Sequence, residues 1–338
     1  MGVTLVDVAR AAGVSRTTAS NAFNNPTQLS RELREEVLRT AKNLGYAGPS
    51  PVARAMRRGR TMMIGIVFQE SLTFILEDPY ARGLLGGLSD RLTEAKYSLA
   101  LIPVDGTGAG LEHVQVDGMV GYHLPPQHPA FQTAQQRGWK IVQTVDSEDA
   151  QDKTNTVTID EAGGARLALQ HLADLGHTRV HILIDAGAEA VNSSSIEPTF
   201  PYREQQERWR GFKDVAIRRG VELIPVPTGR NIRADGYAAS RNALSTGSVT
   251  AIAAMTDVLA FGAMDAVTSA GLRVGHDVSI VGFDDVPESA ELELTTVAQP
   301  IHRRGLEIGS LILASETFKQ VNLPCELIIR KSTGVQNS

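Results

Sequence analysis

The sequence predicts an all-α helix-turn-helix head followed by a two-lobed α/β body with parallel sheets. Three observations carry this. Apolar residues over positions 5–44 recur at helical spacing and are interrupted by Gly13 and Gly45. From Met62 onward, short β-rich apolar runs alternate with amphipathic helical stretches, the pattern of parallel strands joined by crossover helices. The runs are too many for one comfortable sheet, which divides the body into two lobes.

The head comes first. Thr4 is an N-cap, with Asp7 three residues on as its partner in a capping box. Leu5, Val8, Ala9 and Ala12 form one apolar stripe, and Gly13 can take the left-handed conformation that stops the helix. Val14 plugs the corner, and Ser15 caps a second helix starting at Arg16. Ala19 and Ala22 face inward and are small enough for two helices to cross closely. Arg16, Thr17, Ser20 and Asn21 remain on the outer face. Arginine can donate two parallel bonds to guanine, asparagine can pair with adenine, and threonine offers a hydroxyl or a methyl group. The start of the second helix is the end that enters the major groove in a helix-turn-helix. Ser30 caps a third helix, with Leu33, Val37, Leu38, Ala41 and Leu44 on one face and Gly45 as its stop.

Residues 47–60, AGPSPVARAMRRGR, form a linker. Ser50 is a good N-cap and Pro51 suits a first helical position. Val52, Ala53, Ala55 and Met56 make one apolar edge before Gly59. A helix this short falls below the roughly 12 to 15 residues needed for marginal stability in water, so it is expected to order only against a partner. Its arginines suggest DNA, with Met56 as an apolar wedge for the minor groove. The alternative is a basic tether without structure of its own.

Charge supports the division. The 338 residues carry a net −5, yet residues 1–60 hold ten Lys and Arg against four Asp and Glu, a net +6 that leaves −11 on the remainder. A basic head on an acidic body points to a polyanionic partner for the head alone. The single cysteine, Cys325, excludes a disulfide framework and a cysteine-based zinc site. The absence of a signal-peptide pattern and of any run near 20 apolar residues predicts a cytoplasmic protein with no membrane partner.

In the body, strands are predicted over 63–68, 99–104, 118–122, 140–145, 156–159, 180–185, 222–227, 251–255 and 278–283. Helices are predicted over 160–175 and 258–270, closed by Gly176 and Gly271. The glycine run at 106–110 lacks the Gly-Lys-Ser/Thr ending of a phosphate loop and reads as a flexible connection. His171, His177 and His181 lack carboxylate partners at metal-binding spacing and read as structural, so no metal or other cofactor is expected. Cys325 reads as a small packed side chain. Asp284 and Asp285 read as ligand-binding carboxylates, and no catalytic motif is present, so the chain is expected not to be an enzyme.

The motifs TLVDVARAAGVSRTTASNAFN, LGYAGPSPVARAM, IDEAGGARLALQHLADLGHTRV, AGLRVGHDVSIVGFDD and LTTVAQP, in this order, resemble the lactose-repressor (LacI) family of bacterial transcription regulators over essentially the whole length. The resemblance implies a head over 1–47, a hinge helix over 48–60, and an effector-binding, dimerising body over 61–338 like a periplasmic sugar-binding protein. The proximal lobe would span about 61–159 and 294–322, and the distal lobe about 160–291 and 323–333. It also implies a homodimeric repressor on a palindromic DNA operator, nucleoid-associated when bound. Operator affinity would be controlled by a small effector of the sugar or nucleoside class.

The family's residues carry over one at a time. Base reading falls on Arg16, Thr17 and Asn21, where the family often has arginine at the last position. Further DNA contacts fall on Thr4, Ser15, Thr18, Ser20 and Asn24, and on Val52, Ala53 and Met56 of the hinge, where leucine is the usual wedge. Effector contacts fall on Arg208, Asn231, Asp257 and Asp284 from the distal lobe and on Asp146 and Gln299 near the proximal lobe. The loop from Phe74 to Tyr80 forms a further wall. Carboxylates and an arginine at strand ends suit vicinal hydroxyls. The family commonly has Asn-Asp where Thr256-Asp257 stands. The stretch 105–117 looks shorter than usual and is expected to trim a helix of the proximal lobe. No heptad pattern follows the predicted strand at 326–330, which favours a dimer over a coiled-coil tetramer.

Overall fold

The computed structural model describes residues 3–48, 59–145, 154–185, 198, 200, 202–247, 249–314 and 318–336. They form two compact units, residues 1–63 with 115–117, and residues 64–114 with 118–338.

The first unit contains α1 (Leu5–Ala11), α2 (Arg16–Asn24) and α3 (Arg31–Asn43). The capping box forms as the spacing requires. The Thr4 amide donates to Asp7 Oδ2 (3.0 Å) and the Asp7 amide to Thr4 Oγ1 (3.4 Å). Gly13 at φ 65 lets the Val14 amide turn back to the Ala9 carbonyl (3.0 Å), which satisfies an orphan acceptor at the end of α1. Val8, Ala9, Ala19, Ala22, Val37 and Ala41 are buried together, with Phe23 and Tyr46 meeting edge to face at 5.7 Å against them. Leu44, expected inside, is exposed, because α3 ends at Asn43 and the Tyr46 ring takes the closing position. The helical hinge anticipated at 48–60 lies almost wholly outside the described residues.

The second unit contains two six-stranded sheets. The first holds β1 (Met63–Phe68), β2 (Ser98–Pro103), β3 (Gly118–Gly121), β4 (Lys140–Gln143), β5 (Asn155–Ile159) and β11 (Gln320–Leu323), in the order β11-β5-β4-β3-β1-β2. The second holds β6 (Arg179–Ile184), β7 (Glu222–Pro227), β8 (Ala251–Ala254), β9 (Ser279–Asp284), β10 (Thr295–Ala298) and β12 (Glu326–Ile328), in the order β12-β10-β9-β8-β6-β7. Among the described registers, only that of β12 with β10 is antiparallel. Parallel strands covered on both faces need near-continuous apolar runs, and MIGIVF, GMVG and AIAA are buried along nearly their whole length. Thr295–Ala298 and Gln320–Leu323 escaped sequence reading, because runs of only four residues with few apolar side chains are too short to register as strands. The strand expected over 140–145 stops at Gln143. There the Thr144 hydroxyl leaves the ladder to bond the Gly121 carbonyl and the His123 amide.

The chain passes between sheets after β5, after β10 and after β11. On the first sheet, α5 (Pro79–Glu94), entered through the short α4 (Leu72–Glu77), packs against α12 (Ile301–Leu313). On the second, α7 (Glu161–Asp174) packs against α8 (Arg203–Arg219), and α9 (Arg233–Thr246) against α10 (Asp257–Ser269). The remaining helices are α6 (Pro129–Gln136) and the short α11 (Pro287–Glu291). The connection from β2 to β3 contains no helix. Asp105 Oδ1 instead accepts from the amides of Thr107 (2.8 Å) and Ala109 (3.2 Å), and Arg137 donates to the carbonyls of Leu111, Glu112 and Val114. The run read as a flexible connection, 106–110, is thus pinned by the Asp105 carboxylate, and the stretch after it by the Arg137 guanidinium. His171 and His177 bond the C-terminal segment through Thr333 and the Gly334 carbonyl. Cys325 packs against the cores of both lobes, and its burial pushes the thiol up. Among the described residues no helix is long and apolar enough to cross a membrane.

The α5–α12 crossing is close because it is backbone on backbone. A Cβ on Gly87 would lie 2.0 Å from the His302 carbonyl oxygen, and one on Gly305 would lie 2.2 Å from that of Leu84. Gly305→Ala should therefore force the helices apart and destabilise the body by about 1–3 kcal/mol. A lower midpoint in urea unfolding, with far-ultraviolet dichroism retained, checks this.

Candidate functional site

Two sites emerge, one in each unit. In the first unit, Ser15 Oγ accepts from the Thr18 amide (3.0 Å) and lies 2.9 Å from Thr18 Oγ1, so both hydroxyls serve the helix start. Asn24 Nδ2 donates to the Ser20 carbonyl and hydroxyl (2.9 and 3.2 Å). Thr4 is held within the capping box. Arg16 and Thr17 are exposed on the first turn of α2, with Asn21 half-buried one turn on. Arg34 steadies this helix by donating to the Ala22 carbonyl at 3.3 Å. Val52, Ala53 and Met56 lie outside the described residues.

In the second unit, a cavity of about 400 Å³ opens where strands of both sheets end. Glu70 and Ser71 follow β1, and Tyr122 and His123 follow β3. These two strands are neighbours in space whose chain connections run to opposite sides. In the second sheet β6 and β8 stand in the same relation and end in Asp185 and Thr256. Such switch points leave a crevice at the carboxyl ends of parallel strands, where ligands bind. Phe74, Tyr80, Arg208, Asn231 and Asp284, placed here from sequence, line the cavity together.

Arg208 anchors one wall. Its Nε donates to Glu161 Oε2 at 2.7 Å, one Nη donates to the Met255 carbonyl, and the other lies 3.9 Å from Asp284 Oδ1. The guanidinium also sits 3.9 Å from the centre of the Phe283 ring. Burial holds the Asp284 carboxyl well above the usual carboxylate range, with Arg208 pulling the other way and Asp257 adding to the rise. Asp284 has φ 131, a backbone conformation that L residues rarely adopt and that the surrounding structure must hold in place. Arg304 anchors the opposite wall by donating to Tyr80 Oη and to the carbonyls of Val157 and Thr144. Burial pushes the Tyr80 phenol up to about 12. Across the cavity mouth, His123 Nε2 lies 3.3 Å from Glu204 Oε1, and Tyr202 Oη donates to Glu70 Oε1 at 3.4 Å.

Two expected contacts stand behind the wall. Gln299 is buried and donates through Nε2 to Asp284 Oδ1 at 2.7 Å. Asp257 is fully buried, and its carboxylate accepts from Ser289 Oγ (2.6 Å), the Val286 amide (3.1 Å) and Thr296 Oγ1. Neither lines the cavity. At the start of α10 it is Thr256 that does so, its Oγ1 donating to Asn231 Oδ1 at 2.6 Å. Asp146 lies outside the described residues. Asp78 lines the cavity within the loop expected as a wall, whereas sequence reading missed Glu70, Tyr122, His123, Glu161, Asp185, Tyr202, Glu204, Gln205, Arg230 and Arg304. Position at the end of a predicted strand or just past it would have found Glu70, His123 and Asp185. No local signal marks Tyr202, Glu204 or Gln205. Among the described residues, no group of histidine, cysteine and acidic side chains could hold a metal ion.

A helix-turn-helix unit followed by a two-sheet body with its cavity at the strand ends defines a DNA-binding transcription regulator. Residues 4–48 match the bacterial regulatory proteins of the lacI family, and residues 169–333 match the periplasmic binding protein-like domain. An HTH-type transcriptional regulator of Mycobacterium tuberculosis is 36% identical over 327 residues, covering 92% of this chain and 90% of the relative. The regulator IpsA of Corynebacterium glutamicum is 32% identical, again covering 92% and 90%. The lac repressor dimer bound to operator and the anti-inducer ONPF superposes with a TM-score of 0.80 at 26% identity, covering 99% of this chain and 100% of that one. The CelR–cellobiose complex gives 0.68 at 27% identity, covering 98% and 99%. The chain belongs to the LacI family of bacterial transcription regulators.

The buried Asp257 makes a separate prediction. Burial raises its pKa to about 6, against hydrogen bonds from Ser289, Thr296 and Val286 that lower it. The folded protein therefore binds more protons than the unfolded chain between about pH 4 and 6, and stability falls as pH rises through that window, by about 3 kcal/mol in all. Urea unfolding across the window should show this slope in the wild type and a flatter one in Asp257→Asn.

Proposed function

We propose that this regulator is a homodimeric repressor of a palindromic operator, with a small hydroxyl-bearing effector of the sugar or nucleoside class bound in the cavity of the body. The head would span 1–47, the hinge 48–60 and the body 61–338. The observation that carries the effector reading is the ligand-sized cavity at the carboxyl ends of both sheets, walled by Arg208 and Arg304 already fixed by their own partners. A fixed wall binds a ligand without first paying to order itself. Those arginines are held by carboxylate and carbonyl groups rather than poised beside a nucleophile, which favours binding over turnover. The relatives agree in kind: CelR is seen with cellobiose, and the lac repressor dimer with operator and anti-inducer. Such a protein acts where the chromosome is, in the cytoplasm.

The two recognition helices of a dimer would enter successive major grooves about 34–36 Å apart, with Arg16, Thr17 and Asn21 reading bases. Effector would bind one arrangement of the lobes better than another, and the population of the DNA-binding state would shift by that difference in affinity. The segment 48–60 would transmit the change.

Arg16→Ala should weaken cognate operator binding by about 1–3 kcal/mol and relax sequence preference. Fluorescence anisotropy on operator and scrambled duplexes checks this, and an equal loss on both would make Arg16 a phosphate contact. Asp284→Ala should abolish the effect of effector on operator affinity while effector-free operator binding persists. A mobility-shift titration with the effector found by thermal-shift screening decides it, and an unchanged response would remove Asp284 from the effector site.

A further inference from the structure

The cavity is electrically one-sided. The Tyr202 phenol is pushed up to about 12 by burial and then by the negative charges of Glu70, Asp185 and Glu204, which surround it. Tyr202 Oη reaches Glu70 at 3.4 Å, and Asp185 Oδ1 accepts from Gln205 Nε2 at 2.6 Å. The basic side chain nearby on this wall is the His123 imidazole, facing Glu204 at 3.3 Å. The arginines that line the cavity are engaged elsewhere. Arg208 is bonded to Glu161 and the Met255 carbonyl, Arg304 to two carbonyls and Tyr80, and Arg230 to Asp235. Among the described lining residues, a ligand phosphate or carboxylate would meet no uncommitted guanidinium.

What is left open is acceptors. Glu70 Oε2, both Glu204 oxygens and Gln205 Oε1 are buried and accept no hydrogen bond from any described residue. His123 lies near Glu204 Oε1 without hydrogen-bond geometry. Gln205 is only 5% exposed and lines the cavity, so its empty carbonyl oxygen is an acceptor kept dry for a donor that a ligand brings. Burial also holds Asp185 and Asp78 above the usual carboxylate range.

We propose that the ligand of this cavity is a hydroxyl-bearing amine, an aminated sugar in its simplest form, with its ammonium seated among Glu70, Asp185 and Glu204. An ammonium offers three donors and one positive charge to a wall that has acceptors and negative charge in surplus. The rings of Phe74, Tyr122 and Tyr202 also line the cavity. The hydroxyls fall to Asp284 and Asn231. This inference rests on the effector reading of the cavity and specifies the chemistry of the effector.

The test is calorimetric titration of the full chain with glucosamine, galactosamine and mannosamine, each against its neutral parent sugar and its N-acetyl derivative, with glucose 6-phosphate as the anionic probe. At least one amine should bind about tenfold or more tightly than both of its neutral counterparts, the size of one charge-assisted bond. Glu204→Gln keeps the shape and removes a charge, and should erase that preference for the amine over its neutral counterparts. A neutral sugar binding as tightly as its amine, or the phosphate binding best, overturns the amine assignment and leaves the effector reading standing. If no sugar of any kind binds, the amine assignment falls, and the effector reading then stands or falls on the same titration with nucleosides. The wild-type comparison decides the matter whether or not the variant folds.

Discussion

The Arg208 guanidinium is the constraint on which the body depends. It is about nine-tenths buried, and it is held by a carboxylate at the first residue of α7, a carbonyl just past β8 and a carboxylate at the last residue of β9. Breaking such a pair leaves a buried charge without compensation, which costs several kcal/mol, so the three segments keep fixed positions relative to one another. Arg304 does the same for the other sheet through β5, the end of β4 and the Tyr80 ring of α5. The two arginines thus hold the cavity walls at a set shape before any ligand arrives. Because their bonds are taken up by the frame, the side chains left facing the cavity are predominantly acceptors.

The cavity itself follows from topology. In each sheet the chain runs outward in one direction and then returns to the other side, and the loops at the reversal cannot close over one another. Three passages between the sheets, beside residues 160, 299 and 324, keep the two sets of strand ends pointed at a common space. The passages are braced: the Asp160 amide donates to the Leu323 carbonyl, and the Gln299 amide to that of Asp284. Asp257 serves this architecture from behind. Its carboxylate gathers Val286, Ser289 and Thr296 and sets the loop that presents Asp284.

The helix-turn-helix unit works on a different principle. Its core is six small or β-branched residues with a rim of larger ones, so local devices matter more than packing mass. Caps at Thr4, Ser15 and Ser30 and the left-handed turn at Gly13 fix where each helix begins and ends. They also orient the first turn of α2, which carries Arg16 and Thr17.

By itself the sequence determined the features that are local. The capping box, the stops at Gly13 and Gly45, the exposed turn at Arg16 and the continuous apolar strands all follow from spacings of a few residues, and each was legible. So were Arg208 and Asp284, through motifs that resemble a known family. Tertiary structure alone decided which polar groups face the cavity and which face inward. Thr256 and Asp257 are adjacent in sequence, yet one lines the cavity and the other is turned into the core by Ser289 and Thr296, more than thirty residues downstream. Tyr202, Glu204 and Gln205 reach Glu70, His123 and Asp185 only because α8 carries them across the ends of strands far away in the chain. Periodicity records which face of an element is buried; it does not record against what. The charge balance of the cavity is a sum over such long-range neighbours, so it came into view only with the fold.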